Sequence, residues 1–223
     1  MELMHRRTTI AILCLLLLSA LLALWFRYRP TPVKIDRTPI IGVNTGVGAR
    51  LAEMALQAVP GQGRIVLVTD YDHTRGDRGR DYRWETFHAE LKKQSGVTIA
   101  ATEIVEFDPS EPEVSACPSA AFKAILERHA DAGAIVFFID LPDWSKVAGL
   151  IPQPVGPKII AVDNMGEPHK PRYGGYFTSG FLAVLIGARS APAAALAQPK
   201  TPREWFDQHY QVYTPQNFET LPE

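Results

Sequence analysis

Hydrophobic positions in this chain first form one long uninterrupted run and then recur in short runs separated by polar segments. The long run extends from Ile10 to Phe26 and contains no charged residue, proline or glycine. Together with Thr8 and Thr9 it reaches about 19 residues, close to the roughly 20 that an α-helix needs to cross a bilayer. We therefore predict a basic leader at residues 1–9 and a transmembrane helix, retained as a signal anchor, at residues 10–26.

The main alternative for this segment is a cleaved signal peptide. Such peptides have an apolar core of roughly 7–15 residues and end in a site made of small residues. Here the run is longer and ends in Leu24, Trp25 and Phe26, which are poor residues for cleavage. More basic groups follow the run than precede it, so the positive-inside rule alone would keep the following domain in the cytoplasm. Because long domains translocate largely regardless of charge, we predict an extracytoplasmic, periplasmic-side domain on a single-pass anchor.

Short apolar runs follow a proline- and charge-rich stretch, residues 27–39, which we predict to be an extended stalk. Runs rich in β-branched residues alternate with segments of helical spacing from residue 40 to residue 190. We predict strands at residues 40–43, 64–69, 97–107, 134–139 and 158–162, and helices at residues 49–59, 80–94, 120–129 and 176–189. This alternation predicts an α/β fold, with a three-layer, Rossmann-like, mostly parallel sheet. Residues 191–223 are predicted to be a linker and a C-terminal tail that packs on this lobe.

Charge and composition narrow the possible functions. The chain has 23 basic and 24 acidic residues and a formal net charge of −1. No basic stripe or tail is present, which argues against nucleic-acid binding. The two cysteines, Cys14 and Cys117, are far apart in sequence, and no two of the six histidines have i,i+4 spacing. We therefore predict neither a metal site nor a bound cofactor.

Acidic residues follow several of the predicted strands. Asp70 and Asp72 come directly after residues 64–69, Asp140 follows residues 134–139, and Asp163 follows residues 158–162. In open parallel sheets, ligands bind at the carboxyl ends of the strands. Carboxylates there can accept hydrogen bonds from a polyol, hold Mg²⁺ or cap the next helix, and the sequence alone leaves these three roles open.

The order of short motifs resembles the C-terminal lobe of type I periplasmic binding proteins, the sugar-binding and repressor-like family. The motifs are, in chain order, GVNTGVGARLAEMALQAV, GQGRIVLVTD, RWETF, AIVFFID, IIAVDN and QVYTPQNFE. They cover roughly 180 residues, and the last is the most specific. Ile139 stands where the family usually has an asparagine. The resemblance implies a Rossmann-like lobe that binds a sugar or another small polar molecule and has no catalytic activity.

By position, the resemblance implies that Arg83, Asp140 and Asp163 line the ligand cleft, with Asp70 at the same edge. Tyr71 and Trp144 would stack on the apolar face of a sugar ring. The predicted anchor occupies the place of the family's N-terminal lobe, so a lone lobe would form only half of a cleft. We therefore expect a protein partner, or a second copy in a homodimer, to supply the other wall.

A different class of function is also compatible with one motif. Residues 65–74 read IVLVTDYDHT, an apolar strand followed by Asp-x-Asp-x-Thr, which is similar to the first motif of haloacid-dehalogenase-like phosphatases. In that hypothesis Asp70 is the nucleophile of a Mg²⁺-dependent phosphatase and Asp72 is the acid/base. Asp140 and Asp143 would complete the magnesium site, and Lys146 or Lys158 would hold the phosphoryl group.

Overall fold

The described part of the chain divides into two compact units, with the boundary after Asp36. The computed structural model describes residues 15, 17–25, 27, 28, 36–59, 61–73, 75, 80–94, 96–107, 116–150, 156–164, 166, 168–189 and 199–223. In the first unit, residues 15, 17–25, 27 and 28 are helical. The predicted transmembrane helix lies partly outside the described residues, because residues 10–14, 16 and 26 do not belong to them.

Among the described residues, no helix combines the length and the hydropathy that a bilayer crossing requires. The anchor therefore stays a prediction from the sequence.

The second unit begins with a long helix, α1 (Thr38–Ala58). Pro39 lies in its first turn, where the missing amide hydrogen costs no helical hydrogen bond. The strand predicted at residues 40–43 is wrong, because these residues belong to α1, and the helix also begins within the stretch predicted to be stalk. The β-branched residues Ile40, Ile41 and Val43 favour a strand locally. The packing of α1 against other helices outweighs that preference.

Six strands form one sheet in the order β2-β1-β3-β4-β5-β6. The strands are β1 (Gly63–Thr69), β2 (Val97–Ile104), β3 (Ala134–Phe137), β4 (Lys158–Val162), β5 (Leu182–Ala188) and β6 (Tyr210–Tyr213). The first five run parallel, and β6 pairs antiparallel with β5. The predicted α/β class with a mostly parallel sheet is confirmed.

Helices cover both faces of this sheet. They are α2 (Tyr82–Lys92), α3 (Ser119–Arg128), α4 (Trp144–Val147), α5 (Lys170–Thr178) and α6 (Pro202–His209), and a short 3₁₀ helix covers Phe218–Thr220. Buried side chains of β1 alternate between the faces, as the pleat of a strand requires. Ile65 and Leu67 belong to the core beneath α1, α2 and α6, whereas Val66 and Val68 belong to the core beneath α3 and α5.

Three glycines of α1 let other helices approach closely. A methyl group on Gly42 would collide with the Trp205 indole, and one on Gly46 would collide with the Pro202 carbonyl oxygen. On the other flank, a methyl group on Gly48 would collide with the Arg83 carbonyl oxygen. The Gly42, Gly46 and Gly48 spacing therefore marks the contacts of α1 with α6 and α2. This close contact brings Arg83 to its place in the fold.

The C-terminal part of the sheet differs from the sequence prediction. The helix predicted at residues 176–189 is wrong, because α5 ends at Thr178 and residues 182–188 form β5. Gly180, with a φ of +77°, makes the turn between them. The run LAVLIGA is apolar throughout and lies almost entirely buried, which is typical of a parallel strand covered on both faces. Neither α6 nor β6 was predicted, although Phe206 and Tyr213 in these elements are buried.

Candidate functional site

The predicted ligand residues follow strands that end at one edge of the sheet, called the carboxyl edge below. β1 pairs with β2 on one side and with β3 on the other, so the chain changes direction across the sheet between β1 and β3. In doubly wound folds the crevice at such a switch point is where ligands bind. Asp70 directly follows β1, Asp140 lies shortly after β3, and Asp163 directly follows β4.

Arg83 reaches the carboxyl edge from the first turn of α2. Asp81 caps this helix, and its side chain accepts hydrogen bonds from the backbone amides of Arg83 at 3.0 Å and Trp84 at 3.1 Å. The Arg83 guanidinium lies over the ring of Phe138, 5.8 Å from its centroid. The cap and the close approach of α1 at Gly48 therefore fix the direction in which this side chain leaves the helix.

Asn164 joins Arg83 to the ends of two strands. Its Oδ1 accepts a hydrogen bond from Arg83 Nη1 at 2.5 Å, and its Nδ2 donates to the Phe138 carbonyl oxygen at 3.1 Å. Its backbone amide donates to Asp140 Oδ1 at 2.7 Å. One asparagine thus connects α2 with the segments that follow β3 and β4. The structure brings Arg83, Asp140 and Asp163 to the same edge.

Asp163 is buried at this edge, with 3% of its surface exposed. Its Oδ1 accepts a hydrogen bond from the Tyr173 hydroxyl at 2.7 Å. Burial, and after it the nearby Asp163 carboxylate, raises the pKa of Tyr173, so this phenol stays protonated and remains a donor. The second oxygen, Oδ2, is buried and has no hydrogen-bond partner among the described residues. The same is true of Arg83 Nε, so the edge contains a buried acceptor and a buried donor that protein groups do not satisfy.

Asp140 is completely buried and has a structural role in the loop after β3. Besides the side-chain contact to Asn164, its backbone oxygen accepts a hydrogen bond from the Cys117 amide at 2.8 Å. Arg172 binds the same loop, because its Nη2 donates a hydrogen bond to the Leu141 carbonyl oxygen at 2.7 Å. Asp140 thus stabilises the segments that follow β3 and β4, while its own side chain stays buried.

An aromatic group lies beside the aspartates that follow β1. Tyr71 meets the His73 ring edge-on at 5.2 Å, and His73 in turn stacks on Trp84 at 4.1 Å with an interplanar angle of 9°. Asp70 is exposed, and Asp72 makes an ion pair of 3.2 Å with Arg75. Tyr71 therefore lies in the segment that directly follows β1, where its ring contacts a histidine.

Trp144, the other predicted stacking residue, lies elsewhere. Its ring packs edge-on against Tyr176 at 4.8 Å and tilted against Phe181 at 6.4 Å. Gly175 leaves the space that the indole occupies, because a methyl group there would collide with Trp144. Trp144 thus belongs to the core beneath α5. The structure does not bring it together with Arg83 and Asp163.

Two contributors to the site were not predicted as site residues. Asn164 directly follows Asp163 in the sequence, and its three hydrogen bonds depend on tertiary contacts. Tyr210, at the start of β6, lies close enough to Arg83 and Asp163 for both charges to act on its phenol. Burial raises the pKa of Tyr210. The positive charge of Arg83 lowers it and the Asp163 carboxylate raises it, and the net shift is upward. The aromatic-rich tail was the only sequence signal for it.

The phosphatase hypothesis meets two geometric obstacles. Lys158 is the first residue of β4 and therefore lies at the amino end of that strand, opposite the edge where Asp70 lies. Asp143 is paired with Arg172, whose Nε lies 3.8 Å from its Oδ1. Within the described residues, no three histidine, cysteine, aspartate or glutamate side chains are grouped so that they could hold a metal ion.

Solved structures share this architecture. One is a solute-binding protein of an ABC transporter from Burkholderia graminis, in complex with D-arabinose. It matches with a TM-score of 0.50 and 16% identity, over 81% of this chain and 62% of its own. Another is a sugar-binding protein of a sugar ABC transporter from Bacillus halodurans, with a TM-score of 0.50 and 12% identity, over 80% of this chain and 64% of its own. No protein-family model and no curated protein matches the chain.

These similarities concern the fold. The chain has the architecture of a lobe of a periplasmic binding protein, and its structural neighbours are sugar-binding proteins of ABC transporters. It spans less than two-thirds of the length of either neighbour.

Proposed function

We propose that this protein is a membrane-anchored, non-catalytic domain that binds a small polyhydroxylated ligand, such as a monosaccharide, at the carboxyl edge. Arg83 and Asp163 would make the principal contacts, and Asn164 would hold them in place. Asp70 and Tyr71 would contribute from the segment after β1. Sensing or presenting the ligand at the membrane surface would be the role of such a domain.

One observation carries this proposal. Arg83 Nε is a buried donor and Asp163 Oδ2 a buried acceptor, and neither has a hydrogen-bond partner among the described residues. Leaving such a group unsatisfied costs about 1–3 kcal/mol, and more when the group is charged. A hydroxyl group both donates and accepts, so the hydroxyl groups of a polyol offer each atom a partner of the right kind. A polyol therefore matches the hydrogen-bonding capacity that the edge leaves unused.

The position of these atoms supports the same conclusion. They lie at the edge of a parallel sheet where its strand order reverses, which is the place where ligands bind in this class of fold. The neighbour from Burkholderia graminis was solved in complex with D-arabinose. That sugar is accordingly the first ligand to test.

A second protein wall belongs to the proposal. Affinity in cleft-closing folds comes from burying the ligand between two lobes. The chain covers 62% and 64% of the two structural neighbours. A protein surface that closes over the carboxyl edge would bury the second side of the ligand. We propose a second copy of this chain or a separate protein partner. Sedimentation of the detergent-solubilised protein with and without sugar tests for the homodimer.

The anchor and its orientation form a separate part of the proposal. The apolar run from Ile10 to Phe26 would hold the domain on the extracytoplasmic side of the membrane. Fusing alkaline phosphatase, which is active only after export, to the C-terminus tests the orientation. Active fusions support an outside domain, whereas inactive but stable fusions contradict it.

Thermal unfolding of the full-length protein in detergent is the decisive experiment for ligand binding. A ligand that binds only the folded state raises the melting temperature, by an amount that grows with its concentration. We expect D-arabinose or a related monosaccharide to raise it, and Arg83→Ala and Asp163→Asn to abolish the shift. Arg80→Ala is the matched control. Arg80 precedes the same helix but pairs with Glu85 at 2.6 Å.

The phosphatase hypothesis is tested in the same experiment with Mg²⁺ and a phosphate mimic. Stabilisation by this pair, lost in Asp70→Asn and retained in Arg83→Ala, would contradict the proposed sugar site. No response to any sugar in the panel would also contradict it, provided that the protein unfolds cooperatively.

A further inference from the structure

Two histidines enclose the indole of Trp84 on α2. His73 stacks on one side at 4.1 Å, and His88, one turn further along the helix, lies at 4.5 Å with an interplanar angle of 47°. His88 also meets the Phe87 ring edge-on at 6.1 Å. These three residues, His73, Trp84 and His88, are called the α2 column below. Its members have no part in the proposed ligand contacts.

The surroundings of His88 disfavour its protonation more clearly than those of His73 do. Its Nε2 is buried and has no hydrogen-bond partner among the described residues. Burial lowers the pKa of His88, and the positive charges of Lys92 and of a protonated His73 lower it further. A protonated ring would therefore carry a buried N–H with no acceptor, beside a lysine of the same helix.

His73 faces a different set of charges. Its Nε2 lies 3.3 Å from Thr69 Oγ1 and 4.0 Å from Asp81 Oδ2. Burial lowers the pKa of His73, and Arg83 acts in the same direction, whereas the carboxylates of Asp81, Asp70 and Asp72 oppose that shift. The acids thus partly stabilise a charge on His73. His88 has no carboxylate partner of this kind among the described residues.

The α2 column is in contact with the carboxyl edge. Trp84 packs edge-on against Phe138, with 5.1 Å between the ring centroids, and Phe138 lies beneath the Arg83 guanidinium. Phe138 also supplies the carbonyl oxygen to which Asn164 donates. Movement of the Trp84 indole therefore removes support from the residues that hold Arg83.

We propose that His88 is an acid-responsive support of Trp84, and that its protonation opens the α2 column and loosens the carboxyl edge at Arg83. In the neutral state the imidazole packs as an aromatic ring. In the charged state it must turn toward water to find a hydrogen-bond acceptor, and the indole loses one of its two flanking rings. The device does not depend on which ligand, if any, the edge binds.

The direction of the pH dependence follows from the sign of the pKa shift. An unfolded or open His88 has the ordinary value of about 6.5, and the closed column lowers it. The closed state is therefore fully favoured above about pH 6.5. It loses that advantage as the pH falls through the lower value of the closed state. A domain outside the cytoplasm would experience such changes directly.

Hydrogen exchange followed by mass spectrometry tests this proposal on the full-length protein in detergent. After correction for the intrinsic pH dependence of exchange, we expect peptides that cover α2 to exchange at least about threefold faster at pH 5.0 than at pH 7.5. In His88→Phe, which keeps an aromatic ring but cannot titrate, the difference should vanish. His88→Gln is the second variant if the first fails to fold.

A matched control comes from a second histidine–tryptophan pair. His209 stacks with Trp205 on α6, with 6.1 Å between the centroids and an angle of 11°. The variant His209→Gln should keep the full pH difference in α2. The proposal is overturned if the wild type shows no difference, if the difference persists in a folded His88 variant, or if His209→Gln removes it equally. Because no sugar is present, a failure of the proposed ligand site leaves this result unaffected.

Discussion

The contact between α1 and α2 can be tested with a single methyl group. In Gly48→Ala, the new Cβ would collide with the Arg83 carbonyl oxygen and lie 3.0 Å from the carbonyl carbon. These are backbone atoms, so no change of rotamer can relieve the collision and the two helices must move apart. Overpacking of this kind typically costs about 1–3 kcal/mol. Alanine regains about 1 kcal/mol through its better helix propensity.

The net expectation is a loss of about 2 kcal/mol, because a backbone collision places the cost near the upper end of that range. In a domain of this size, each 1 kcal/mol lowers the melting temperature by about 2–4 °C. Gly48→Ala should therefore melt about 4–8 °C below the wild type in a calorimetric scan. Because Arg83 is the residue displaced, the sugar-induced shift should weaken as well.

The matched control is Gly149→Ala. Nothing lies within 4 Å of a methyl group at that position, and the backbone there is compatible with alanine. This variant should melt within about 2–3 °C of the wild type, because it changes mainly the entropy of the unfolded chain. If Gly48→Ala melts at or above the wild-type temperature, the close approach of α1 to Arg83 is refuted.

Three further predictions concern buried polar groups. Tyr173→Phe removes the hydroxyl that donates to Asp163 and should lower the free energy of unfolding in urea by about 1–3 kcal/mol; an unchanged midpoint would contradict this hydrogen bond. Burial alone would raise the pKa of Glu103, but hydrogen bonds from His129 and Arg128 outweigh it and lower that pKa. Below about pH 4.5, the free energy of unfolding should therefore fall more steeply in the wild type than in Glu103→Gln. An equal pH dependence of the two proteins in urea unfolding would contradict this. Burial raises the pKa of the Cys117 thiol to about 12. In a Cys14→Ser background, iodoacetamide at pH 8 should therefore label Cys117 only after the protein unfolds. Rapid labelling of the folded protein would disprove its burial.

Much of the sheet could be predicted because its central strands are buried on both faces. The runs at residues 64–69, 134–139 and 158–162 are nearly continuous in apolar residues, and all three are strands. The same kind of run at residues 182–188 was assigned to a helix that was predicted to span residues 176–189. Local pattern alone did not reveal that Gly180 separates the two elements.

The first helix illustrates a different limit. Residues 40–43 have the β-branched composition of a strand, and the glycines at positions 42, 46 and 48 look like helix-weakening residues when taken alone. Both features make sense only when α6 and α2 are seen to pack on those glycines. Contacts across long stretches of sequence, from Gly48 to Arg83 and from Gly46 to Pro202, decide the structure here, and no local window contains them.

At the candidate site, strand position was enough to place Asp140 and Asp163 at one edge, whereas Arg83, which lies on a helix, was assigned to it by the family resemblance. The burial of the two aspartates was not predictable, because it depends on how Tyr173 and Asn164 pack over them. Trp144 was assigned to a ligand-stacking role as part of the family resemblance. Its position under α5 is set by the space that Gly175 leaves, which the sequence does not show.

The alternation of side chains along β1 has a consequence for how the domain unfolds. Ile65 and Leu67 are buried with one set of helices, and Val66 and Val68 with the other, so a single strand is shared by both cores. Neither layer of helices can detach without exposing one side of that strand to water. The two halves should therefore melt as one cooperative unit. A molecule bound at Asp70, where this strand ends, would then protect amides on both sides of the sheet from exchange, far beyond those that it touches.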